Sequence, residues 1–201
     1  MKIQKLTVMS ILIAVSIVLV ALVHFPLIPA VAFMEYDPAD IPILMATLMF
    51  GPGAGLGVTV VACIIQGITV SAGSGVYGIL MHIVATGSFV LTVGLLSKIL
   101  GTAAKGRGIT LAVGCLCMAA VMVPANLLIT PLFMGVPVEA VKGMLLPAII
   151  PFNLLKAGMN GLLTFVLYHP VASFVKGRLP ECNQPLSSAP SEKTSKHNHC
   201  A

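Results

Sequence analysis

Apolar stretches of about 20 residues recur along this chain, separated by short turns rich in Gly, Pro or charge. That length matches the roughly 30 Å hydrocarbon core of a bilayer crossed by a helix rising about 1.5 Å per residue. With 58% of 201 residues hydrophobic and only 8% charged, the chain lacks the polar surface that a water-soluble globule requires. Strands of alternating polarity, the signature of an outer-membrane barrel, are not evident. The chain therefore reads as an all-α integral membrane protein. Its 19 Gly and 14 Pro suit close helix packing in a bilayer, and the spacing of its 5 Cys gives no disulfide framework.

Six transmembrane helices follow from the pattern. The first covers residues 6–23; it is longer than the apolar core of a signal peptide, so it reads as a retained helix even though Ala30-Val31-Ala32 resembles a cleavage site. The loop after it, HFPLIPAVAFMEYDPADIP, holds three of the six acids in the chain. A short second helix over 42–50 ends at GPGAGLG, and a third continues to residue 70. The fourth covers 76–100, and the glycine-rich GTAAKGRG after it reads as a basic loop. The fifth covers 109–133, and the sixth runs from Pro151, a residue suited to a first helical position, to about Tyr168. Residues 1–175 form the transmembrane domain. Residues 176–201, polar and rich in Ser and Pro, read as a disordered cytoplasmic tail.

Charge placement tests this map. Lys2, Lys5, Lys98, Lys105, Arg107, Lys176, Arg178, Lys193 and Lys196 fall on one side, whereas Lys142 alone falls in a loop on the other. The positive-inside rule then makes both termini cytoplasmic and the acidic first loop external.

Lys at a helix centre costs roughly 2.5 to 3.5 kcal/mol on insertion scales, so polar side chains within the spans ask for a reason. Gln66, His82, Asn126, Asn153 and Lys156 all lie within about 10 Å of the outer surface, although their helices alternate in direction. Asn153 and Lys156, spaced i, i+3, share one helix face. This shared depth implies a polar cavity open to the outside with the first loop as its lid, and an inner half offering only hydroxyls and small residues. Each residue also has a plainer reading: Lys156 snorkelling outward, and the others bonding neighbouring helices. No intramembrane acid pair or paired broken helices mark an ion-coupled carrier, so the energy for transport would come from a partner.

Three segments carry a family resemblance: EYDPADIPILMATLMFGPGAGL at 35–56, ILMHIVATGSF at 79–89 and PFNLLKAGMN at 151–160. Over nearly all of its membrane portion the chain resembles the substrate-binding S components of energy-coupling factor (ECF) vitamin transporters, in the riboflavin-binding branch. The resemblance implies a six-helix bundle that captures riboflavin near the outer surface under the first loop, in a bacterial plasma membrane. It implies that Asn126, Asn153 and Lys156 bond the flavin and that Tyr36 and Asp40 belong to the first-loop motif, Asp40 as a lid, helix-start or contact residue, while Gln66 and His82 join the candidate site by their depth. Where that resemblance implies a more polar pair near the outer end of the third helix, this chain has Gln66 and Gly67. The implied partners are a membrane-embedded coupling protein (the T component) and two ATP-binding subunits. Ser10 and Ala14, one turn apart on the first helix, offer a close-packing face for such a partner.

Other motifs carry less. GSGVYG at 73–78 matches a dinucleotide fingerprint but lies between membrane helices, and no phosphate-binding GxxxxGK[ST] loop is present. His197, His199 and Cys200 match no metal site, and Glu35, Asp37 and Asp40 match no calcium loop or catalytic pair. The sequence thus predicts a non-enzymatic binding component with no cofactor, no metal and no nucleic-acid partner. The competing readings are an S component for another vitamin or small metabolite, a self-sufficient secondary carrier, and a membrane enzyme using His82 or the loop acids.

Overall fold

The structure, a computed structural model, describes residues 2–28, 31 and 34–178. Helix α1 spans Lys2–Leu22 and leads into a two-residue antiparallel hairpin, β1 at Phe25–Pro26 and β2 at Glu35–Tyr36, with Phe25 opposite Tyr36. Then follow α2 (Asp40–Phe50), α3 (Pro52–Ile68), a 3-10 turn (Ala72–Ser74), α4 (Gly75–Leu100) and α5 (Ala104–Met134). Short α6 (Val138–Met144) passes through a π-helical turn (Leu145–Ile149) into α7 (Ile150–Arg178). Because α6, the π turn and α7 form one continuous helical stretch, the bundle has the six-helix architecture expected.

Among the described residues, four stretches are long and apolar enough to cross a membrane: Ile3–Leu22, Ala72–Leu100, Ala104–Met134 and Val138–Val175. The other two are shorter. At about 1.5 Å per residue, α2 reaches about 17 Å and α3 about 26 Å. Every residue of α2 from Asp40 to Leu48 is buried, so this helix is enclosed by its neighbours. The outer surface carries Ile3, Leu6, Ile11, Leu128, Leu132, Leu162, Val166 and Phe174, whereas buried positions include Asp37, Asp40, Lys156 and Asn160. Apolar outside with ionic groups inside is the arrangement that a hydrocarbon solvent selects.

Chain reversal between α2 and α3 depends on Gly51, whose φ of +90° lies in the region that favours glycine. Farther along, α4 approaches the start of α3 so closely that a Cβ on Gly94 would stand 2.6 Å from the Cβ and 2.8 Å from the Cα of Pro52. The main core lies at the level of Leu44, Phe89, Val90, Val93 and Met118.

Several boundaries differ from the sequence reading. The basic loop is shorter than expected, since α5 begins at Ala104 and takes in Lys105 and Arg107. Arg107 is buried at 8% exposure, its guanidinium lying 4.8 Å from the Phe165 ring centre and 4.7 Å from that of Tyr168. Two aromatic faces on α7 thus draw into the bundle a cation that charge counting alone places in solvent. The last helix continues past Tyr168 and through Pro170 to Arg178, since a membrane helix tolerates one missing backbone donor. Pro151 is not a free helix start. It follows the π turn, where its absent N–H would have bonded the Pro147 carbonyl in an α-helix. The residues proposed as a tail from 179 onward, including Cys182, His197, His199 and Cys200, lie outside the described residues, as do Ala30 and Ala32.

Gly94→Ala is expected to destabilise the bundle by about 1–3 kcal/mol through overpacking against Pro52. A lowered midpoint in thermal unfolding followed by size-exclusion chromatography in detergent would show it, and an unchanged midpoint would refute the close-approach role of Gly94.

Candidate functional site

Near the end of the bundle that carries the hairpin, α4, α5 and α7 diverge around a cavity of about 690 Å³, its open mouth included. Helical periodicity assigns its walls. Gly78, Met81, His82 and Ala85 form one stripe of α4, and Met118, Met122, Asn126, Ile129, Thr130 and Phe133 form one of α5. From α7 come Phe152, Asn153 and Lys156, while the hairpin segment supplies Met34 and Glu35 as the roof. Tyr77 and Phe133 meet edge to face at the rim, 6.3 Å between ring centres. Four methionines and a few aromatic rings make soft, polarisable walls, and the polar groups are few and convergent, as in a small-molecule pocket.

The asparagines are held by their own helices. Asn126 donates from Nδ2 to the Met122 carbonyl at 2.8 Å and accepts from the Thr130 hydroxyl at 3.0 Å. Asn153 donates to the Ile149 carbonyl at 2.8 Å. Each amide is thereby fixed in orientation yet keeps hydrogen-bonding capacity for the cavity, since each has two N–H donors and a two-lone-pair oxygen.

The roof is tied down by a buried polar cluster beneath it. Lys156 Nζ donates to Asp37 Oδ2 at 2.7 Å, with both side chains buried. Asn160, one turn deeper on α7, donates to the Asp37 carbonyl and to Asp40 Oδ2, each at 3.0 Å, and accepts from the Tyr36 hydroxyl at 2.9 Å. The second Asp40 oxygen accepts from Thr86 of α4 at 2.6 Å, and Ser16 of α1 donates to the Ala39 carbonyl at 2.9 Å. Apolar packing completes the closure: Val31 and Met34 pack with Val141, Ala148, Ile149 and Phe152.

Burial would push the Asp37 carboxyl up, but the charge of Lys156 and the hydrogen bonds from Lys156 and the Ala39 N–H outweigh it, so the net shift is downward. A lowered native value means that the stabilisation is present above the unfolded-chain value, ~3.9, and is lost as pH falls through the native one. The Tyr36 hydroxyl is pushed up, first by burial and then by the Asp37 and Asp40 carboxylates, so it stays a donor to Asn160.

The structure therefore brings Asn126, Asn153, Lys156 and His82 to one cavity. Tyr36 and Asp40 lie outside its lining and act in the cluster that holds the roof. Gln66 is buried and also outside the lining; its backbone carbonyl accepts from the Thr69 and Ser71 N–H groups at the end of α3. Two residues central to the site, Asp37 and Asn160, do not stand out in the sequence as binding residues. The i, i+4 step from Lys156 to Asn160, continuing the Asn153–Lys156 face, is the available signal. The inner half is also less bare than expected, because Asn160 extends the polar layer deeper and Arg107 lies buried near the opposite end.

Asn160→Leu keeps volume but leaves the Tyr36 hydroxyl, the Asp37 carbonyl and one Asp40 oxygen without their partner. A loss of about 2–4 kcal/mol is expected, with faster proteolysis between β1 and β2; parent-like resistance would rule out the cluster as a tether. Separately, the stability margin of the parent over Asp37→Asn should hold at neutral pH and shrink below about pH 4, and a margin unchanged at about pH 3 would exclude an ionised pair.

Comparison with known proteins agrees with this architecture. Residues 4–168 match the family described as ECF transporter, substrate-specific component. The chain is 32% identical over 164 residues to the riboflavin transporter FmnP of Bacillus subtilis, covering 78% of this chain and 85% of that protein. It is 28% identical over 180 residues to the riboflavin transporter RibU of Streptococcus thermophilus, covering 86% and 84%. A solved structure of the S component of a bacterial ECF transporter superposes with a TM-score of 0.75 at 29% identity, over 88% of this chain and 99% of that one. A roofed cavity in a six-helix bundle, with a sequence match over most of the chain, thus places this protein among the ECF substrate-specific components, non-catalytic substrate-binding transport proteins, on the branch that holds those two relatives.

Proposed function

We propose that the chain captures riboflavin for an ATP-driven ECF importer. The cavity carries this reading. Its methionine and aromatic walls suit a flat ring system, while Asn126, Asn153 and Lys156 converge on it with the mixed donors and acceptors that a flavin's carbonyl and ring-nitrogen edge requires. His82 faces the same ligand from α4, and Tyr36 and Asp40 hold the roof over it. The names of the two relatives point to the same vitamin.

In this reading the protein is a multi-pass component of the bacterial plasma membrane with its cavity end outside. Lys5, Lys98, Lys105 and Arg107 then lie towards the cytoplasmic end and both termini are inside. Energy comes from the coupling protein and the two ATP-binding subunits that S components of this family work with. Ser10 and Ala14 lie on the exposed face of α1, which supports docking of a partner helix there.

The detergent-purified chain should retain flavin visibly or bind it on titration. Asn126→Ala and Asn153→Ala are expected to weaken binding by about tenfold each, and Lys156→Ala by more, since it also strands Asp37. Reconstituted alone, the chain should show no sustained uptake. A colourless protein indifferent to riboflavin would overturn the vitamin assignment, and uptake driven by an ion gradient alone would overturn the dependence on partners.

A further inference from the structure

Among the described residues, the end of the bundle remote from the roof holds one buried cation, Arg107, and no carboxylate: Glu35, Asp37, Asp40 and Glu139 all lie at the roof end. Arg107 is 8% exposed, and the rings of Phe165 and Tyr168 stand 4.8 and 4.7 Å from its guanidinium. Nη1 donates to the Thr102 carbonyl at 3.1 Å, which brings the guanidinium back to the start of α5. Nε is buried and has no hydrogen-bond partner among the described residues. The Nε edge of the fork, the edge that pairs with two oxygens of one phosphate, therefore lacks a protein acceptor. A buried charged donor left in that state is costly, so it points to an acceptor from outside the chain.

The start of α5 adds a second set of donors. Its N-cap residue, Ala103, offers no side-chain oxygen, so the first-turn N–H groups of Ala104, Lys105 and Gly106 have no capping side chain, and the turn contains no acid. The Arg107 N–H is already bonded inside the helix, to the Ala103 carbonyl at 2.8 Å. The positive end of a 31-residue helix thus faces the same place as the guanidinium. Lys98, in the last turn of α4, and Lys105 are exposed on either side. Ile99, Leu100 and Ile109 beside them are exposed apolar residues, so the cationic cluster sits where acyl chains give way to headgroups.

We propose that the α4–α5 turn binds the phosphate of an anionic phospholipid of the cytoplasmic leaflet, with Arg107 and the start of α5 as its donors. Lys98 and Lys105 supply the field that draws the headgroup in. The inference goes beyond the flavin reading and takes from it only the cytoplasmic placement of this end. A phosphodiester suits the site, since its unesterified oxygens can bridge the guanidinium edge and the free N–H groups of the helix start. The site is also compatible with a partner on α1, because α1 packs on α2 and α3 whereas this turn belongs to α4 and α5 and faces α7.

The test is binding of phosphatidylglycerol to the detergent-purified full chain, followed by native mass spectrometry across a lipid titration, with phosphatidylcholine and inorganic phosphate as the other probes. The parent is expected to take up a single phosphatidylglycerol ahead of further adducts and to prefer it to phosphatidylcholine, whose choline cancels the phosphate charge. Arg107→Lys keeps a cation near the rings but loses the fork, and is expected to weaken lipid binding about tenfold. Ala103→Asp caps α5 with a carboxylate that competes for the same donors, so it should raise the thermal midpoint and weaken lipid binding by about as much. Replacing Lys98 and Lys105 together by Gln should weaken it only about two- to threefold, as befits exposed charges. An affinity unmoved in Arg107→Lys and Ala103→Asp but lost in the lysine pair would describe a diffuse basic surface and overturn the proposal. Equal binding of phosphatidylcholine also overturns it, and inorganic phosphate that displaces phosphatidylglycerol at equal concentration would assign the site to a free anion and overturn the lipid source. Should Arg107→Lys fail to fold, Ala103→Asp carries the test. Riboflavin titration of the same samples is expected to match the parent, so the loss of either reading leaves the other standing.

Discussion

An ion pair between an acidic loop and a membrane-level lysine organises this molecule. Lys156 alone in α7 would cost several kcal/mol in hydrocarbon, and Asp37 buried alone would cost comparably. Each is acceptable only because the other is 2.7 Å away, so the first loop has to fold back over α7. Asn160 makes the arrangement specific by joining Tyr36, the Asp37 backbone and Asp40, and Thr86 and Ser16 extend the connection to α4 and α1. A buried polar network of this kind adds less net stability than its bond count suggests, because each bond replaces one to water and each buried charge costs desolvation. What it fixes is geometry, because a partly satisfied alternative is costly.

The consequence for the fold is an interior more polar than its surface. Buried Thr47, Thr59 and Thr164 return their hydroxyls to carbonyls four residues back, so they add no unsatisfied groups. Helix α2, too short to cross a bilayer, is workable because it is enclosed by other helices and begins at Asp40, in the cluster itself.

Much of this is legible in the sequence, because hydrophobic length and charge placement are dictated by the bilayer. The six-helix count, the short α2 and the depth of Asn126, Asn153, Lys156 and His82 all follow from one-dimensional spacing. What cannot be read depends on which face of each helix turns inward. Gln66 shares the depth of the others but ends outside the cavity lining, since depth does not fix azimuth. The glycine-rich neighbours of Arg107 point it to solvent, yet Phe165 and Tyr168, some sixty residues away in sequence, give it an interior place. Asp37 and Asn160 stand 123 residues apart, and no local pattern announces a bond across that separation.

The π turn before α7 has a rotational meaning. In an unbroken α-helix the twelve residues from Val141 to Asn153 would turn Asn153 about 120° away from Val141, at roughly 100° per residue. Wider winding through the five residues of the π turn takes back roughly 90° of that. Val141, packed under the roof, and Asn153, facing the cavity, are thereby brought into phase on one rod. Roof support and ligand wall are then the same rigid body, so a twist of this helix about its axis carries both together.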